Sequence, residues 1–152
     1  MVCLLDVNLL LALCDSRHEH HELAHRWFAA KGQSAWATCP ITENGFIRIA
    51  SQPSYPNSPG GTSHVASLLR RFCRRDGHRF WPDAVSLMDD MLFKLSLTPS
   101  PNQTTDVYLL GLAVKNRGKL ATLDGSIPAR AVIGGERALE VISPGQSRLQ
   151  VS

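Results

Sequence analysis

Short apolar runs that alternate with longer helix-patterned segments constrain this chain more than any other feature. Residues 2–5, 34–38, 119–122 and 139–142 are runs of four or five, too short for helices and apolar enough for buried strands. Helical spacing fills the intervals at 8–13, 18–31, 42–50, 63–75, 83–93 and 105–116, with a single turn at 126–130. In segment 18–31, Ala24, Trp27 and Phe28 share an apolar face, Gly32 follows the end, and Ser16 is a candidate cap. Phe46, Ile49 and Ala50 point inward from 42–50, and Val65, Leu68, Leu69 and Phe72 from 63–75. Phe80 and Trp81 end an extended piece before Pro82, while 95–101 reads as a turn-rich connector. Residues 52–62 (QPSYPNSPGGT) form a loop, expected to be the most mobile segment. Strands alternating with helices predict an α/β fold with a mostly parallel sheet.

The length of 152 residues suits one domain, expected at 1–143, with a loose polar tail at 144–152. The apolar run 9–13 is far too short to cross a bilayer, so no membrane contact is expected. Only Met1 and Val2 precede Cys3, which leaves no room for a charged signal-peptide start, and a cytoplasmic location is expected. Cys3, Cys14, Cys39 and Cys73 contain no CxxC pair and read as free, mostly buried thiols. The net charge of +3 is a mild excess, unlike that of a protein that coats duplex DNA. Its distribution is uneven, with Arg70, Arg71, Arg74, Arg75 and Arg79 crowded into one stretch.

Several acids stand alone in apolar surroundings. Asp6 and Asp124 each follow an apolar strand. In parallel α/β sheets ligands bind at the carboxyl ends of strands, and a carboxylate there is costly unless paired or on a cation. Asp106 opens one helix and Glu43 lies in the first turn of another, where helix dipoles favour acids. Gathered together, four carboxylates would need hard cations, Mg²⁺ or Mn²⁺, and would suit phosphodiester hydrolysis. Each also has a plain structural use: Asp6 as a cap on the amide of Leu9, Asp106 as a dipole acid, Glu43 in a local cap, Asp124 with Gly125 as a turn. Spacing alone does not decide between the two.

The flanks of these acids resemble the PIN-domain ribonucleases, specifically the VapC-type toxins of bacterial toxin–antitoxin pairs. LLDVNLLLAL resembles the family's first motif, ATCPITENGFIRI the second, TTDVYLLGLA the third and LATLDGSI the fourth. They occur in family order from Leu4 to Ile127, and HELAHRWF and GHRFWPD resemble one branch. SPNQTTD lacks the Gly-His pair usual in that branch before the third acid. The resemblance implies a PIN-like three-layer sandwich with Asp6, Glu43, Asp106 and Asp124 as metal-holding acids. It implies Asn8, Thr122 and Ser126 as supporting polar residues. It further implies Mg²⁺- or Mn²⁺-dependent cleavage of structured RNA, transfer or ribosomal, a small antitoxin as partner, and a homodimer. The rival readings are a PIN-fold nuclease without an antitoxin, acting on DNA or in RNA processing, and an inactive scaffold.

Other features admit two uses each. His18, His21 and His25 share a helix face near His20 and read either as a metal cluster or, more commonly, as a solvated or interface-lining face. Arg70, Arg71, Arg74 and Arg75 suit either RNA phosphates or a plain charged helix face. Among Trp36, Trp81, Tyr55 and Tyr108, Tyr55 in the loop is the better candidate for stacking on a base.

Overall fold

The computed structural model describes residues 1–144. The loose tail expected from residue 144 onward otherwise lies outside the described residues. Five strands, β1 (Cys3–Leu5), β2 (Trp36–Thr38), β3 (His78–Phe80), β4 (Lys119–Thr122) and β5 (Leu139–Val141), form one sheet in the order β3-β2-β1-β4-β5. Every pairing is parallel, with Leu5 opposite Ala121 and Thr38 opposite Phe80. Parallel neighbours need long crossovers, which the helices supply: α1 (Val7–Cys14), α2 (His21–Trp27), α3 (Pro40–Ala50), α4 (Thr62–Phe72), α5 (Thr104–Lys115) and α6 (Gly135–Ala138).

Alternate strand side chains divide the core in two. Cys3, Leu5, Trp36 and Ala121 face α1 to α4, while Leu4, Ala37 and Leu120 face α5 and α6. The result is the expected three-layer sandwich, with a sheet buried on both faces. Chain order reverses between β1 and β4, because β1 continues into α1 on one face and β4 follows α5 on the other. That reversal is a topological switch point, where α/β sheets open a crevice.

Two local expectations are corrected, and the extended piece before Pro82 holds. Residues 83–93 form no helix: turns fall within 87–92, and Phe93 makes an isolated antiparallel bridge with Val132. Ser86 Oγ accepts from Met88 N at 3.1 Å and Asp89 Oδ1 from Met91 N at 3.0 Å, so side chains claim amides that a helix would need. Phe93 then packs on α5 at Gly111, where any Cβ would collide with its ring. The helix placed at 18–31 begins at His21, and Ser16 does not cap it: its N-cap is His20, without a side-chain bond. It runs on as a π-helical turn, Phe28–Gly32. The extended piece before Pro82 is β3, in which Phe80 is exposed and Trp81, just beyond, is buried. Among the described residues no helix is long and apolar enough to cross a membrane.

Candidate active site

Asp6 leaves β1 at the switch point and caps α1. Its Oδ1 accepts from its neighbour's amide, Val7 N, at 2.8 Å, and not from Leu9, whose amide goes to the Asp6 carbonyl. Its Oδ2 accepts from Thr122 Oγ1 at 2.8 Å. The Thr122 hydroxyl has one proton, given to Asp6, and its lone pairs receive Asn8 Nδ2 at 3.1 Å and Asp124 N at 3.0 Å. Asn8 Oδ1 in turn accepts from Leu123 N at 3.1 Å. Asn8 and Thr122 therefore clamp the end of β4 to the start of α1. Asp124 Oδ1 accepts from Ser126 N at 2.8 Å and Ser126 Oγ at 2.6 Å. Gln103 Nε2 donates to the Ser126 carbonyl at 3.1 Å and ties this loop to the entrance of α5, whose first turn carries Asp106.

The aspartates feel one another. Burial pushes the Asp106 carboxyl up to about 6, and the charges of Asp6 and Asp124 add to that push. Asp6, only 5% exposed, is also raised, first by burial and further by Asp124, against its bonds to Thr122 and Val7. Among the described residues no Lys, Arg or His pairs with these three acids. Nor, among those residues, do three Asp, Glu, His or Cys side chains converge in an arrangement that could hold a metal. An uncompensated, all-oxygen donor set nevertheless fits a hard divalent cation in charge and chemistry.

Glu43 has a different environment. It lies in the first turn of α3, where its Oε2 accepts from Thr38 Oγ1 at 2.7 Å. The same hydroxyl meets His78 Nε2 at 2.8 Å. Cys73 lies close enough for the Glu43 charge to help burial push its thiol up to about 11. Neither Thr38 nor His78 stands out in the sequence. The available signal is a Thr at the last position of an otherwise apolar strand, which ends fully buried.

The remaining candidates separate. Arg70, Arg71, Arg74 and Arg75 are exposed at the end of α4, and Arg75 lies over the Phe72 ring at 5.0 Å. Within that stretch Cys73 feels the charge of Glu43, while Arg75 acts on Cys14 at the end of α1. His21 Nδ1 meets the Ala12 carbonyl at 2.7 Å and His25 Nε2 the Leu13 carbonyl at 3.1 Å, so these rings close the end of α1. Trp36, Trp81 and Tyr108 are buried in the core and unavailable to bases. Tyr55 is tied down by donating to Asp15 Oδ2 at 2.8 Å, which anchors the 52–62 loop. All four cysteines are free, with Cys3 and Cys39 buried.

Proteins named as ribonucleases are similar to this chain over most of its length. It is 45% identical over 137 residues to Ribonuclease VapC44 of Mycobacterium tuberculosis, covering 90% of this chain and 96% of that protein. It is 36% identical over 134 residues to Ribonuclease VapC39 of the same organism, covering 88% and 96%. Its fold matches the crystal structure of M. tuberculosis VapC20, a sarcin–ricin-loop-cleaving toxin, with a TM-score of 0.58, 13% identity and coverage of 86% and 96%. VapBC2 from Rickettsia felis, crystallised on a promoter DNA fragment, matches with a TM-score of 0.56, 12% identity and coverage of 94% and 100%. No protein-family model matches the chain. Identity of this extent, on a PIN-type α/β sandwich, means that the chain belongs to the VapC family of ribonucleases.

Proposed function

We propose that this chain is a metal-dependent endoribonuclease that acts as the toxin of a toxin–antitoxin pair and cuts structured RNA, transfer or ribosomal. The observation that carries the metal-dependent chemistry is the set of Asp6, Asp106 and Asp124, mutually repelling at the switch point without a cationic side chain to neutralise them. The VapC20 neighbour's sarcin–ricin-loop cleavage supports a folded RNA as substrate. The VapBC2 assembly supports a cognate antitoxin. A homodimer in the cytoplasm completes the reading.

When bound, Mg²⁺ or Mn²⁺ supplies Lewis acidity toward phosphoryl oxygens and lowers the pKa of a water. Asp6, Asp106 and Asp124 would hold it, and Glu43 would share that task or orient the attacking water. Asn8 and Thr122 fix Asp6 relative to the β4 end, and Ser126 fixes Asp124. Arg70, Arg71, Arg74 and Arg75 would draw in the phosphate backbone from the Glu43 side.

The deciding experiment is cellular. The chain is induced in a bacterial host and new RNA 5′ ends are mapped, with Asp106→Asn in parallel. Discrete ends that vanish in the variant are expected. Ends that persist in Asp106→Asn would remove the acidic site from the chemistry.

A further inference from the structure

Glu43, like Asp6, has its carboxylate held by a threonine that is held in turn by another side chain, and here that second side chain is a histidine. Thr38 Oγ1 donates to Glu43 Oε2 at 2.7 Å. A threonine hydroxyl has one proton, so once that is given to a carboxylate the oxygen can only accept from its other partner. That partner is His78 Nε2 at 2.8 Å. The chain of bonds therefore runs one way, from the His78 Nε2–H to Thr38 Oγ1 and from the Thr38 O–H to Glu43. Strand pairing supplies the geometry, since β2 and β3 are parallel neighbours with Trp36 opposite His78 and Thr38 opposite Phe80. The imidazole cannot swing freely, because it lies against the fully buried Trp36 with ring centroids 4.7 Å apart. Thr38 is also fully buried, so no water can replace it. Burial lowers the His78 pKa, against the charge of Glu43, which raises it.

We propose that His78 is a positioning residue for RNA cleavage, acting through Thr38 to fix the Glu43 carboxylate. The role rests on the proposed nuclease site. It assigns the neutral ring its Nε2–H tautomer, because the other tautomer would leave two acceptors facing one proton. Donor partners of this kind, one step behind the reacting groups, are worth about 10- to 100-fold in activity.

The test joins a spectroscopic readout to a kinetic one. The ¹⁵N spectrum of His78 in the intact protein should show the Nε2–H form with a slowly exchanging proton, and Thr38→Val should lose that protection. Single-turnover cleavage of total RNA from a bacterial host, with Mn²⁺ present, should slow about tenfold in His78→Phe at unchanged half-saturation. His78→Gln, whose amide can donate from the same place, should recover most of the rate. Thr38→Ser should remain active and provides the check if the Val variant does not fold. An Nδ1–H ring in the wild type overturns the proposal, as does His78→Phe cutting at the wild-type rate. Gln as slow as Phe reduces His78 to packing and overturns it too. A wild-type chain that cuts no RNA defeats the nuclease reading instead, and the tautomer then still tests the hydrogen-bond chain.

Discussion

The two ends of α1 meet opposite demands. At its start, Asp6 sits in a nearly buried position with two donors, yet Asp124 and Asp106 crowd it with like charge. At its end, the Ala12 and Leu13 carbonyls, which have no partner within the helix, are met by His21 and His25. One end keeps an electrostatic conflict while the other removes every unmet bond it can. The residues that look most like a metal cluster, the histidines, serve the quiet end. The acids, each of which has an ordinary local use, form the conflicted one. Proteins tolerate such conflict where function needs it.

Breaking the conflict itself should have the largest effect. Asp106→Asn is expected to lower RNA cleavage by about 100-fold or more, as loss of a preorganised charged group does. The same change should raise the Tm of the EDTA-treated protein by about 3 °C, from roughly 1 kcal/mol of relieved burial cost and repulsion after allowing for solvent screening at this half-buried site. A variant that is both inactive and less stable would contradict the picture of stored repulsion. Thr122→Val comes next. It strips a partner from Asp6, Asn8 and the Asp124 amide at once, and should cost about 3 kcal/mol in urea unfolding together with a large loss of cleavage. Full activity in that variant would show that the clamp is dispensable.

Burial of these acids, with their mutual repulsion added, also sets a pH dependence. Asp106 titrates near 6 in the folded protein, above the usual carboxylate value. Its contribution to stability is therefore present at acid pH, below about 4, and lost as pH rises through about 6. Asp6 acts in the same direction. In EDTA the Tm of wild type relative to Asp106→Asn should fall between pH 4 and 7, and Mn²⁺ should reduce that fall. Equal slopes with and without Mn²⁺ would separate the acids from metal binding. The smallest effect belongs to the quiet end: His21→Ala should cost about 1 kcal/mol and leave cleavage unchanged. A loss of cleavage there would erase the contrast between the two ends.

The α/β alternation and the positions of the acids are legible in the sequence because both are local. Apolar runs of strand length ending at Asp6 and before Asp124 carry their own signal, and Asn8 and Thr122 lie within two residues of them. The segment 83–93 misleads because its apolar residues mimic a helix, whereas Ser86 and Asp89 divert the amides. The environment of Glu43 is not legible at all, since His78 reaches Thr38 across 40 positions and only the β2–β3 register brings them together. The histidines mislead for the same reason, because the carbonyls they serve belong to another helix.

The bond from Thr122 to Asp6 joins residues 116 positions apart, and β1 gains its β4 neighbour only through it and the pairing beside it. At a synthesis rate of 5–20 residues per second, roughly 6 to 23 s separate the two partners on the ribosome. For most of that interval Asp6 has been made while Asp106 and Asp124, which complete its surroundings, have not. A nascent chain therefore cannot assemble the acidic centre before Asp124 has been made, and a nuclease site of the proposed composition stays incomplete until then.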